Sequence, residues 1–190
     1  MEVLTAFVRE HARWRAPDVE VVDEARRPAT DVQAVVTVLG RSAVLPNRPA
    51  LDLRLTDLRG ADLSNANFDG ALFDFAHLEG ARFDFSSLKQ TSFHQARLQS
   101  ARMWNASLQG SALTGAKLQR ASVVGADLRG ALMGAADLSD TDLTKCRLQG
   151  TTMDEARMSG ATIFKGALFD SETIPPPSLD LAVWGAIKVD

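Results

Sequence analysis

The 190-residue sequence contains one cysteine, Cys146, and no tyrosine. A single thiol excludes an intrachain disulfide and a metal site built from several cysteines. With only three histidines, acid–base groups are scarce. Neither sign of charge dominates: 21 Lys and Arg face 24 Asp and Glu, a net charge of −3. That balance removes any global drive toward nucleic acid or anionic membrane. No apolar run reaches the ~20 residues of a membrane span. The N-terminal MEVLTAFVREHARWR is broken by charges and lacks a signal-peptide layout. The expectation is a cytoplasmic, reducing setting with no membrane segment in this chain. Proline is absent from residue 51 to residue 170. Such an absence suits a backbone whose N–H groups all pair between layers. With 45% apolar and 24% charged residues, the composition is that of a folded chain.

What the sequence does have is a period. From Leu53 to Leu168 every fifth residue is large and apolar, 24 positions out of 24. At this composition chance would give that on the order of 10⁻⁸. The series opens Leu53, Leu58, Leu63, Phe68, Phe73 and closes Met158, Ile163, Leu168. Two residues before each centre sits a small residue, as in Ala61, Ala66 and Ala71, with Ser, Thr, Cys146 or Gly166 as variants and Leu51 as the exception. Two residues after it Gly is frequent, as at Gly60, Gly70 and Gly110. Period five fits neither the 3.6 of a helix nor the 2.0 of a plain strand. It fits a short extended stretch and a tight turn, repeated, with the large and the small residue both inward. The small residue is needed because two side chains per repeat share a narrow interior.

The strings ADLSN, ANFDG, ALFDF, ADLRG and ADLSD resemble the A(D/N)Lxx motif of pentapeptide-repeat proteins. The resemblance covers residues 51–170 and implies an all-β solenoid, a right-handed quadrilateral β-helix with four pentapeptides per coil. Six coils would then make a rod of roughly 29 Å, at ~4.8 Å per layer. The expected division is a helical N-terminal cap and arm over 1–50, the β-helix over 51–170 and a C-terminal cap over 171–190.

A solenoid needs its ends covered. Leu4, Phe7, Val8, His11 and Trp14 form one stripe of a helix over 1–14. Residues 15–30 read as a link. Thr30 and Gln33 have the spacing of a capping box that opens a helix with Val32, Val35, Val36 and Leu39 apolar, stopped by Gly40. After Pro175–Pro177, Ser178 is placed to cap a helix SLDLAVWGAIK. Its Leu179, Leu181, Val183, Trp184 and Ile187 surround the axis, so one side would cover the last coil. The other would remain for a homodimer contact. The N-terminal stretch also resembles the region before the repeats in longer bacterial relatives. A short member and a fragment of a longer, possibly membrane-attached protein both stay open.

No catalytic constellation stands out, and no enzyme, cofactor or metal site is expected. His77 and His94 fall at outward positions on different faces and read as surface histidines. Cys146, at an inward position, should be buried and inert. The function then rests on outward residues. Between Phe85 and Gly125 there is no acid, while Lys89, Arg97, Arg102, Lys117 and Arg120 form a basic belt. Arg97 and Lys117 share one outward position, a layer apart. Trp104 lies in the belt on a face with Arg82, Arg102 and Val124, and an exposed Trp beside Arg is a common binding anchor. Phe75, Phe85, Phe164 and Phe169 are outward by register. The first expectation is a non-enzymatic scaffold for a protein partner, without direct nucleic-acid contact. The alternative, implied by the resemblance, is a DNA mimic that binds a type II topoisomerase (DNA gyrase) and protects it from inhibitors. A 29 Å stretch of duplex would carry about 17 charges, whereas residues 51–170 hold 14 acids against 13 bases.

Overall fold

The computed structural model describes residues 2–13, 28–41, 50–177 and 179–189. Trp14, the expected link over 15–27, residues 42–49 and Ser178 lie outside the described residues.

One pentapeptide, Ala61 to Asn65, shows why the repeat has its form. Ala61 and Leu63 point inward and are buried, and Asp62 between them points out. Each backbone N–H then has its own partner. Leu63 N donates to the Arg82 carbonyl at 2.7 Å and Asn65 N to that of Asp84 at 2.8 Å, both in the next layer. In the layer above, Arg82 N returns a bond to Ala61 O at 2.9 Å. Ala71 N closes a turn onto Phe68 O at 2.9 Å. The remaining group, the N–H of the first turn residue, has no backbone partner. Asp supplies one: Ser64 N donates to Asp62 Oδ1 at 3.1 Å and Thr144 N to Asp142 Oδ1 at 2.9 Å. Asn67 does the same for Asp69 N at 2.9 Å. Where the motif has Asp or Asn, its side chain therefore forms an Asx turn that satisfies the donor the layers leave free, and elsewhere an Asp of the layer below can do so, as Asp84 does for Trp104 N.

Parallel bridges join residues twenty apart, such as Asp52 to Leu72, and fall into four stripes that start at Asp52, Asp57, Asp62 and Asn67. The centres from Leu53 to Met153 are buried. Phe73 and Phe93 stack at 5.2 Å between centroids, and Phe83 meets both edge-on, at 6.0 and 5.8 Å. Polar residues at the small inward position donate to carbonyls of other repeats, as Thr91 does to Phe68 O at 2.9 Å and Thr141 to Leu118 O at 2.8 Å. Cys146 is fully buried with Sγ 2.9 Å from Val123 O, and burial pushes its thiol up to about 12.

The last two centres depart from the expected register, and Met158 before them is less buried than expected. Asp137 pairs with Arg157, twenty residues on, but Asp142 pairs with Ile163 and Arg147 with Leu168, twenty-one on. An extra residue near Gly160 acts as a bulge. Ile163 therefore lies at an outward position, 44% exposed, and Phe164, expected outside, is fully buried. Met158 and Leu168 are half-buried, as is Phe169. Thr152 pairs with Ile174, twenty-two residues on, so a second extra residue follows.

Two helices precede the stack. α1 spans Glu2–His11 and α2 spans Thr30–Arg41. Val8, Val32, Val36 and Leu39 join the core, and His11 stacks on Phe7 at 3.9 Å. Both elements meet the first layer's open edge. Ala12 O accepts from Asp57 N, and Arg13 bridges Thr56. Gln33, expected in a capping box, instead turns its amide to the stack: it donates to Asp62 O at 2.8 Å and accepts from Asp62 N at 2.9 Å. Gly40 O accepts from Asn67 N at 2.7 Å. Gly40 must be glycine, because a Cβ there would sit 2.6 Å from Ala66 Cβ and 2.8 Å from the Phe68 ring.

The C-terminal segment is not a helix. β1, Leu168–Phe169, pairs in parallel with β2, Ile187–Lys188. Gly185, at φ 87°, provides the turn before β2. An apolar pattern on all sides is here a turn packed on an end layer: Leu181 is buried, and Trp184 meets Phe164 edge-on at 6.2 Å.

Candidate functional site

The outward residues of the middle layers fall on adjacent stripes. The stripe starting at Asp62 continues through Arg82, Arg102 and Ser122. Arg102 donates through Nε to Asp84 Oδ2 at 2.7 Å and through Nη2 to the same oxygen. Arg82 lies 3.7 Å from both Asp84 and Asp62. Trp104 is 41% exposed and fixed on three sides. Its N–H bonds Asp84 Oδ1 at 3.2 Å, its indole Nε1 donates to Ser122 Oγ at 2.7 Å, and the Arg102 guanidinium lies 4.4 Å from the ring centroid. Val124, half-buried, occupies the equivalent turn position one layer on. The buried Asp84 thus orients the cation and pins the Trp104 backbone, while Ser122 and Arg102 hold the ring, a rigid amphipathic anchor.

The stripe starting at Asp57 continues through His77, Arg97, Lys117 and Asp137. Arg97 and Lys117 are bridged neighbours. His77 is not a surface histidine: it is 7% exposed, with Nδ1 3.5 Å from Glu79 Oε1. Burial, then the positive charges of Arg97 and Lys117, push it down to about 4 and keep it neutral. Burial raises Glu79, which also lies 3.8 Å from Arg97. His94 is half-buried and meets Phe75 edge-on at 5.6 Å. The basic belt is therefore unevenly neutralised by acids of neighbouring layers. Asp84 and Asp62 face Arg102 and Arg82, and Glu79 faces Arg97. Asp127, kept below its usual range by Arg129 and Gln109 bonds despite burial, serves the next layer up. Asp84 and Glu79 stand 18 residues from Arg102 and Arg97 in sequence, so the linear run without acids does not display them.

At the C-terminal end only Val183 and Ile187 of the expected dimer residues are exposed, at 78% and 53%. Leu179 and Trp184 are half-buried and Leu181 is covered. Among the described residues no group of three or more His, Cys, Asp and Glu could hold a metal ion, and no helix is long and apolar enough to cross a membrane.

Stacked square layers with inward Ala and Leu define the class of right-handed quadrilateral β-helices. The chain belongs to the pentapeptide repeat family: eight copies of the repeat match over residues 52–90, 96–134, 124–160 and 133–169. HetL, a pentapeptide repeat protein involved in heterocyst differentiation regulation in the cyanobacterium Nostoc sp. strain PCC 7120, is similar at 25% identity. The match covers 64% of this chain and 53% of HetL, with a TM-score of 0.59, so the chain spans about half of HetL's length. Rfr23 of the cyanobacterium Cyanothece 51142 is 24% identical over 50% of this chain and 63% of its own, at a TM-score of 0.43. QnrB1, a plasmid-mediated fluoroquinolone resistance protein, is 13% identical over 75% of this chain and 66% of its own, at a TM-score of 0.36. No curated protein matches the chain.

Proposed function

We propose that the protein is a non-enzymatic scaffold that presents side chains on a rigid rod to a protein partner. The observation that carries this reading is the Trp104 corner. An exposed indole is held by Ser122 and Arg102, and its backbone N–H by Asp84, so little side-chain freedom remains to be lost on binding. Arg82, Arg102, Trp104 and Val124 form the contact, and the belt of Arg97 and Lys117 extends it onto the neighbouring stripe. The test is capture of partners from a lysate of the native cell with wild type and Trp104→Ala. A partner retained by wild type should be lost or weakened about 30-fold by the variant, the loss of an anchor worth ~2 kcal/mol. Equal retention by both proteins would defeat the reading.

The DNA-mimic alternative lacks comparable support. A phosphate array needs free surface charge. Asp52, Asp57 and Asp127 are instead paired with Arg54, Arg59 and Arg129, and Asp84 is buried against Arg102. A gyrase supercoiling assay with and without an inhibitor separates the two readings. Of the residues expected in a homodimer, Val183 and Ile187 alone present exposed apolar side chains.

A further inference from the structure

A groove of about 540 Å³ follows the stripe of His77, Arg97 and Lys117. Leu55 and Phe75, stacked one above the other at a corner of the rod, form its apolar side, and Arg13 completes its lining. Along that corner the side chains shrink from Phe75 to Gln95 to Gly115. The two cations beside the smaller residues are thereby left accessible; both are exposed.

The corner itself is unusual in what it displays. The second turn residue of a repeat is held at positive φ, and thirteen residues other than glycine occupy that conformation. Only Leu55, Phe75 and Phe85 among them are large and apolar. A bulky side chain is disfavoured there, yet two of the three line one groove, 62% and 45% exposed.

The charge is local and short. Within the groove Glu79 is shared between His77 and Arg97, while Asp57 and Asp137 lie at the two ends of the stripe. His77 is uncharged near neutral pH, with Asp57, Arg59, Glu79, Arg97 and Lys117 as the charged groups around it. Beyond the pair of cations the stripe turns acidic, with Asp137 one layer past Lys117 and Asp57 two layers before Arg97. At ~4.8 Å per layer the attractive stretch is about 10 Å long. It accommodates two carboxylates. A chain of phosphates laid along the rod would meet Asp137 or Asp57 at either end.

We infer that this groove binds a short acidic segment of a partner protein, placing two carboxylates against Arg97 and Lys117 and an apolar side chain against Leu55 and Phe75. The inference rests on the scaffold reading and adds to it the chemistry of what is bound, on a different stripe from Trp104. Carboxylates at the groove favour protonated His77, so occupancy raises the pH at which that imidazole titrates.

The full chain is titrated with fluorescein-labelled synthetic peptides, by anisotropy and by imidazole NMR. One peptide carries Asp and Glu with Phe and Leu. A second keeps the acids and replaces the apolar residues with Ser. A third keeps the apolar residues and replaces the acids with Asn and Gln. An oligothymidylate represents a phosphate chain. The first peptide should bind at least about 10-fold more tightly than the other probes. Lys117→Glu should cost about 10-fold or more, Phe75→Ser several-fold, and the His77 resonance should titrate at higher pH in the complex. Lys117→Gln serves where the charge reversal melts below wild type. Equal binding of the serine peptide or the oligonucleotide, no binding of the first peptide, or indifference to both Lys117 variants would overturn the inference. Those results leave the capture experiment at Trp104 standing, whereas loss of capture dependence on Trp104 with intact peptide binding defeats only the broader reading.

Discussion

Asp62, Asp142 and Asn67 look like surface decoration in the sequence, yet each accepts the one amide N–H that the layers leave free. The stripe starting at Asp57 contains a group that works the other way. His77 is buried beside Arg97, and its neutral form is the one the fold tolerates. Its folded pKa lies at about 4, below the ordinary 6.5. Between those values the unfolded chain binds a proton that the folded chain refuses, so stability is full above pH 6.5 and is lost as pH falls toward 4. The effect is bounded at ~3 kcal/mol for one proton and is reduced by solvent near the rim. Urea melts of wild type and His77→Gln at pH 7, 5.5 and 4 measure it. The variant should lose less stability between pH 7 and pH 4 than wild type, and parallel curves would show that another group carries the acid sensitivity.

At the scale of elements, α2 and the first layer fit through Gly40. Gly40→Ala places a methyl group against Ala66 and Phe68 and should cost about 1–3 kcal/mol. Gly160→Ala has nothing within 4 Å to meet and should stay within ~0.5 kcal/mol. Denaturant midpoints at unchanged slope compare the two, and equal losses would mean that α2 does not rest on the stack as described. The inward positions from Leu53 to Met153 were legible because one residue type recurs there with no competitor. The slip was not, since Ile163 and Leu168 are followed directly by Phe164 and Phe169, and either frame presents an apolar residue every fifth position. Leu179 to Ile187 misled for a related reason: a segment folded against an end layer and a fully buried helix share an apolar content without a polar face. The candidate site was half legible. Trp104 and Arg102 could be placed on one face by counting in fives, and Arg97 and Lys117 on the next. The burial of His77 and the engagement of Arg102 by Asp84 arise between layers, where contacts join residues 18 to 20 positions apart.

For the whole molecule, register is the organising quantity. One residue inserted after Gly110 would turn every later small residue and centre out of phase with the layer beneath. Calorimetry should show loss of a single cooperative transition for that insertion. The same residue added beside Gly160, where the chain already carries an extra residue and few layers follow, should preserve the transition at a lowered midpoint. Retention of wild-type melting by the Gly110 insertion would refute a single continuous register.

An unbroken twenty-residue period would make each end a template for the other, and identical rods could add head to tail without limit, since a repeated translation never closes on itself. α1 and α2 occupy the backbone groups of the first layer, while the pairing distances of 21, 22 and then 19 residues, from Leu168 to Ile187, leave a final layer that matches no first one. The bulge near Gly160 thus breaks the translation that a head-to-tail stack would need, so the layers after it no longer repeat the edge of the layers before it.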